Sequence, residues 1–212
     1  MTLTVFDLDK TLINGDSYDL WHQFLLEKNI IDEKFIEENI KMGELYDKGE
    51  LNMLEYLEFS VSSLKSLSLD EIDALMPEFL QSKIEPIVFK EARGWLANTE
   101  PNLIISATPE YVVKPVAKFL GAKYSMGVKL KVENNYYTSK FHEPLTFREG
   151  KIDGLKLHIK EQGLNPSKVV FYTDSINDLP LCKYADEVFC VNPDEKLEAE
   201  ALKNGWEILR LG

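Results

Sequence analysis

Asp7-Leu8-Asp9-Lys10-Thr11 places two carboxylates two residues apart, directly after the apolar stretch Met1 to Phe6. One carboxylate can serve as a nucleophile and the other as general acid and base, which divides one displacement between two steps. Ser106 follows Leu103-Ile104-Ile105, where a hydroxyl and backbone N–H groups ahead of a helix can hold phosphate oxygens. Lys151, opening a helix after Gly150, supplies a cation for a phosphoryl group and crowded carboxylates. Tyr172-Thr173-Asp174-Ser175-Ile176-Asn177-Asp178 adds two more carboxylates among oxygen donors of the hardness that magnesium prefers. Taken singly, Ser106 reads as a helix cap, Lys151 as a solvated lysine and one Asp as a turn former. Capping and turn formation do not account for the whole set.

These residues follow the ends of apolar runs, and ligands of open parallel sheets bind beyond the carboxyl ends of the strands. Met1 to Phe6, Leu103 to Ile105, Val169 to Tyr172 and Val188 to Val191 read as buried strands. Helical spacing predicts helices over Pro86 to Asn98, Lys151 to Gln162, Asp178 to Tyr184 and Asp194 to Asn204, and another that begins with Pro109 in its first turn. Strand and helix alternate, so the expected class is α/β, a doubly wound parallel-sheet, Rossmann-like core. Val128 to Phe141 reads as a hairpin turning at Glu133-Asn134-Asn135-Tyr136, and Trp206 to Leu209 as a last edge strand.

From Gly15 to about Ile84 the apolar spacing is helical throughout, as in Tyr18-Trp21-Phe24-Leu25 and Leu54-Leu57-Val61. With Asp32 and Asp70 as expected N-caps, the block holds four helices. The predicted organisation is a core of residues 1–14 and 85–212 with an inserted helical cap of residues 15–84.

The 212 residues carry 24 Lys+Arg against 36 Asp+Glu, a net charge of −12 that repels nucleic acid and anionic lipid. No apolar run approaches the roughly 20 residues a membrane helix needs, and the N-terminus lacks a signal-peptide pattern. A cytoplasmic protein acting on a small molecule, without nucleic-acid or membrane partners, is expected. Cys182 and Cys190 belong to no metal-binding cluster and read as buried, inert thiols, while His22, His142 and His158 carry no motif.

In their order along the chain these parts resemble the haloacid dehalogenase superfamily, specifically its phosphoserine-phosphatase-like branch. Phe6-Asp7-Leu8-Asp9-Lys10-Thr11-Leu12 matches the first motif, Ser106 the second, Lys151 the third and Asp174-Ser175-Ile176-Asn177-Asp178 the fourth, nearly end to end. The resemblance implies a magnesium-dependent phosphatase hydrolysing a small phosphate monoester. Asp7 would attack phosphorus to form an aspartyl-phosphate, and Asp9 would act as acid and then base. Mg2+ would be held by Asp7, Asp174 and the Asp9 backbone carbonyl. Thr11, Ser106, Lys151 and Asn177 would hold the phosphoryl oxygens, with Asp178 behind them ordering Lys151 or metal-bound water. Asp16 falls where the branch carries an acidic residue facing substrate, and helix capping is its other reading.

The chain departs from a phosphoserine phosphatase in having no arginine between residues 15 and 84, its arginines being Arg93, Arg148 and Arg210. Lys41 or Lys48 would be a point-charge substitute without bidentate geometry. The cap aromatics Trp21, Tyr46, Tyr56 and Phe59 are expected chiefly to pack its core. Transfer to an alcohol acceptor and a catalytically silent binding protein are the alternative readings. A phosphoacceptor signalling domain is disfavoured because the candidate aspartate follows the first strand.

Overall fold

A computed structural model describes residues 1–48 and 50–212, apart from the side chains of Tyr46, Asp47 and Met53. Alternating side chains make β1 (Thr2–Phe6) two-faced, with Leu3 and Val5 buried on one side and Thr4 and Phe6 on the other. It is flanked in parallel by β2 (Asn102–Pro109) and by β6 (Lys168–Thr173). β3 (Tyr124–Val128) extends the sheet beyond β2, and β7 (Glu187–Val191) and β8 (Glu207–Leu209) extend it beyond β6. The resulting order is β3-β2-β1-β6-β7-β8, with every pairing parallel. The chain leaves β1 toward β2 and later returns on its other side at β6, so the end of β1 is the topological switch where such folds open a crevice.

Helices cover both faces. Leu155 of α7 (Gly150–Glu161), Leu181 of α8 (Leu179–Tyr184) and Leu197 of α9 (Glu195–Asn204) pack with Leu3, Val5 and Phe171. Leu96 of α5 (Lys90–Asn98) and Val112, Val113 and Val116 of α6 (Glu110–Leu120) pack with Phe6 and Ile104 on the other face.

Between β1 and α5 the described residues form four α-helices: α1 (Ser17–Glu27), α2 (Glu33–Lys48), α3 (Met53–Ser62) and α4 (Leu69–Phe79). Asp32 accepts the Phe35 N–H at 3.0 Å, as a cap should. Asp70 does not cap α4: Ser68 does, in a reciprocal box with Glu71, because the helix begins one residue before Asp70. Trp21 and Phe79 stack edge-on at 5.2 Å and join the cluster that holds Val112 and Val113, so this helical block shares its apolar interior with the sheet. The chain re-enters the core through a π-helical turn, Leu80–Ile84, and a 3-10 turn, Glu85–Ile87. The helix expected from Pro86 therefore starts later, at Lys90, with Pro86 in the 3-10 turn.

The hairpin forms from β4 (Leu130–Glu133) and β5 (Tyr136–Phe141), and Asn134 and Asn135 at its turn take positive φ of 51° and 69°. β3 has no counterpart in the sequence reading, since Ser125 and Gly127 interrupt its apolar run. Gly127 is required there because a side chain would strike the Thr108 carbonyl of β2. Among the described residues, no helix is long and apolar enough to cross a membrane.

Candidate active site

The ladder continues one step past β1, where the Asp7 N–H donates to the Tyr172 carbonyl at 2.9 Å and aims Asp7 at the sheet rim. Lys10, at φ 57°, reverses the chain so that its N–H meets the Gly15 carbonyl at 3.0 Å. The reversal leaves Leu8 and Leu12 fully buried while Asp9 turns toward the rim.

Asp9 is held from three directions. One oxygen accepts the Ser17 N–H at 2.6 Å, and the other accepts the hydroxyls of Thr108 at 3.0 Å and Ser106 at 3.3 Å. Burial, then the charge of Asp16, pushes its pKa up to about 6, against the pull of those hydrogen bonds. Ser106 is fixed in turn, its hydroxyl accepting the Thr108 N–H at 3.1 Å and its carbonyl accepting the Thr146 hydroxyl at 2.6 Å. β2 runs on through Ser106, its pairing with β3 slipping between Ile105 and Pro109, and Pro109 occupies the cap position before α6.

Lys151 rises in the first turn of α7, and its ammonium donates to Asp7 at 2.7 Å and to Asp178 at 2.8 Å with only 2% of the side chain exposed. Gly150 makes this possible, because a side chain there would collide with the Leu145 carbonyl. Asp178 is oriented by the Thr173 hydroxyl at 2.8 Å. Asp174 accepts the Thr11 hydroxyl at 3.4 Å, and its carbonyl accepts the N–H of Asp194, the cap of α9, at 2.9 Å. Asn177 follows in a short 3-10 turn, its side-chain oxygen facing Arg148 at 3.5 Å.

Burial, together with Asp178 and Asp9, pushes Asp7 up to about 7 in spite of Lys151. Burial and the neighbouring Asp7 and Asp178 drive Asp174 well above the carboxylate range. Such mutual elevation marks a site short of positive charge. Among the described residues, no three His, Cys, Asp or Glu side chains form a complete metal cage. Two carboxylates and a carbonyl are nonetheless a donor set that fits magnesium, which keeps several of its waters.

These groups floor a cavity of about 210 Å³, walled on its far side by Asp16, Asp19, Asn39, Met42, Leu51 and Tyr56. Asp16 caps α1, accepting the N–H groups of Tyr18 and Asp19 at 3.0 Å each, and burial with the charge of Asp19 raises it to about 6. It therefore caps a helix and faces the cavity at once.

The nine residues singled out from sequence thus converge: Asp7, Asp9, Asp16, Ser106, Asp174 and Asp178 line the cavity, and Thr11, Lys151 and Asn177 lie buried against it. Thr108, Asp194, Arg148, Asp19 and Asn39 were not anticipated. Thr108 had a signal, since it stands two residues after Ser106 in the stretch that leads from Ile105 to the next helix. Lys41 and Lys48 pair with Glu38 and Glu44 outside the cavity. Of the cap aromatics, Trp21 is buried, Phe59 stacks on Phe35 at 4.4 Å and Tyr56 meets the cavity, while Tyr46 lies outside the described side chains. Cys182 and Cys190 are free and buried, which pushes both thiols up.

Known proteins resemble this chain along nearly its whole length. A histidinol-phosphatase of Neisseria meningitidis serogroup C is 34% identical over 216 residues, covering 98% of this chain and 97% of that protein. A phosphoserine phosphatase of Lactococcus lactis is 30% identical over 201 residues, covering 92% of this chain and 86% of that one. The crystal structure of a protein of unknown function from Bordetella pertussis Tohama I superposes with a TM-score of 0.90 at 28% identity, covering 98% of this chain and 97% of its own. The family model for haloacid dehalogenase-like hydrolases matches residues 4–183, and the chain belongs to that family as an enzyme of the phosphoric monoester hydrolase class.

Proposed function

We propose that the chain is a magnesium-dependent phosphatase that hydrolyses a small phosphate monoester through a phosphoryl group carried on Asp7. The observation that supports it best is the pairing of two differently held carboxylates on one cavity floor: Asp7 against the Lys151 ammonium, Asp9 in a cradle of one N–H and two hydroxyls.

A carboxylate oxygen of Asp7 attacks phosphorus, the bond to the alcohol oxygen breaks, and Asp9 gives that oxygen its proton. Asp9 then takes a proton from water, the water oxygen attacks phosphorus, and the bond to Asp7 breaks to release phosphate. A pKa near 6 suits a group that must donate and then accept close to neutral pH. Thr11, Ser106, Lys151 and Asn177 hold the phosphoryl oxygens, and Asp178 keeps Lys151 in place. Asp7, Asp174 and the Asp9 carbonyl would hold magnesium, which when bound offsets the negative charge of the carboxylates and the phosphate.

Residues 15–84 act as the cap, with Gly15 at the first crossing and the turns over 80–87 at the second. The crossings are stitched together by Asn14 N–H to the Ile87 carbonyl at 2.7 Å and Phe89 N–H to the Leu12 carbonyl at 3.0 Å, a compact place about which to open and close. The meningococcal and lactococcal relatives are named for histidinol and phosphoserine, so phosphate esters of amino-bearing alcohols belong in the substrate panel. Phosphate release should require magnesium, stop on chelation and return on re-addition. Release indifferent to chelator, or none from any ester, would contradict the proposal.

A further inference from the structure

Asp174 stands past the point where its neighbours hold β6 in register. Pairing with β1 ends at Phe6 and Tyr172, and pairing with β7 ends at Thr173 and Cys190. The Asp174 carboxylate meets the Thr11 hydroxyl at 3.4 Å, a long contact. Its position is therefore set through its main chain, by the loop between β7 and α9.

Asp194 caps α9 and lines the cavity. Its N–H donates to the Asp174 carbonyl at 2.9 Å. Its Oδ1 accepts the N–H groups of Lys196 at 2.9 Å and Leu197 at 2.8 Å, which completes the helix cap. Its Oδ2 turns away from the helix and accepts the Ile176 N–H at 2.7 Å. Two peptide groups, one on each side of Ser175, are thereby pinned to the start of α9. Capping uses one side-chain oxygen, which a serine also has, whereas holding Ile176 takes the second.

The clamp is itself braced. Asn192, at φ 42°, accepts the Leu211 N–H at 2.8 Å and donates to the Leu211 carbonyl at 3.2 Å, and its own N–H donates to the Leu209 carbonyl at 2.8 Å. Pro193 joins it to Asp194 with a restricted φ. Asn192-Pro193-Asp194 thus spans from the edge strand β8 to the loop that carries Asp174.

We propose that Asp194 is a positioning residue for magnesium: through the Asp174 carbonyl and the Ile176 N–H it holds the Asp174 carboxylate where the ion is bound. The inference rests on the phosphatase reading above and adds to it a residue from the β7–α9 loop. Magnesium demands near-ideal octahedral geometry, so a donor that drifts is felt as lost affinity.

The test is the Kd of Mg2+ for the substrate-free protein, measured by isothermal titration calorimetry on wild type, Asp194→Ser and Asp194→Ala. Serine keeps a cap oxygen for α9 and gives up the Ile176 bond, whereas alanine gives up both. Both variants should bind magnesium about 10-fold more weakly, and the magnesium needed for half-maximal phosphate release should rise in step. The urea midpoint in chelator should be lowest for Asp194→Ala, which separates loss of the cap from loss of the clamp. Asp194→Ser binding magnesium as tightly as wild type would reduce Asp194 to a helix cap and overturn the inference, while leaving the phosphatase reading intact. No magnesium binding by wild type would overturn that reading and this inference together.

Discussion

On the floor of the cavity the working groups stand at ends of parallel strands and at the first turn of α7, places fixed by the ladder and by the Gly150 approach. On its far wall Asp19, Asn39 and Met42 stand on α1 and α2, helices set by apolar packing and by caps such as Asp16 and Asp32. The floor buries charge and offsets it with charge, as Lys151 does between Asp7 and Asp178. Behind the wall, the helices keep a buried imidazole neutral. His22, fully buried in α1 between the Tyr18 carbonyl at 2.8 Å and the Ser63 hydroxyl at 2.9 Å, is lowered by burial to about 4. On the proposed reading the floor serves the phosphoryl group common to every ester, and the wall is where one alcohol would be told from another.

The largest effect expected from breaking the floor is that of Asp7→Asn, which should lower phosphate release by about 10⁴-fold from every ester, without reordering them. A variant that changed the ranking of esters would place Asp7 on the selecting side. Lys151→Met should come next. It leaves Asp7 and Asp178 buried without their shared cation, so the urea midpoint in chelator should fall by the equivalent of about 3 kcal/mol. An unchanged midpoint would mean that the two carboxylates are not charged in the folded protein.

The wall is sharpened by pH. His22 has a folded pKa below its unfolded one, so its contribution is present above about 6.5 and is lost as pH falls toward about 4. The gap corresponds to about 3 kcal/mol. The floor runs the other way: Asp7, Asp9 and Asp174 are raised, and they cost stability at neutral pH that is recovered as they protonate in acid. His22→Gln should therefore have the gentler acid decline in unfolding free energy between pH 7 and pH 4. Parallel curves for the two proteins would remove His22 from the account.

The same division explains what was legible in the sequence. A parallel sheet turns the ends of apolar runs into one rim, so Asp7, Ser106 and Asp174 were findable as residues following strands, and Lys151 as the residue after Gly150. Asn134-Asn135 announced its turn because both residues tolerate positive φ. Helical periodicity, by contrast, says which side of a helix is apolar and not what fills the gap beside it. Asn39 reads as a surface residue by type, yet it is buried because α1 brings a carboxylate to meet it. Ser68 outcompeted Asp70 as a cap because the reciprocal bond from Glu71 is available only to a cap two residues earlier. Thr108 was passed over because its partner, Asp9, lies 99 residues away in the chain.

The claim that Asp7 carries the phosphoryl group is tested most directly by trapping it there. Asp9→Asn loses both the acid of the first step and the base of the water step, so acid quenching of that variant after mixing with magnesium and 4-nitrophenyl phosphate, whose leaving group departs without a proton, should leave a phosphoryl adduct on the peptide containing Asp7, located by mass spectrometry. An adduct on any other residue, or steady phosphate release from wild-type enzyme with no adduct in either protein, would contradict it.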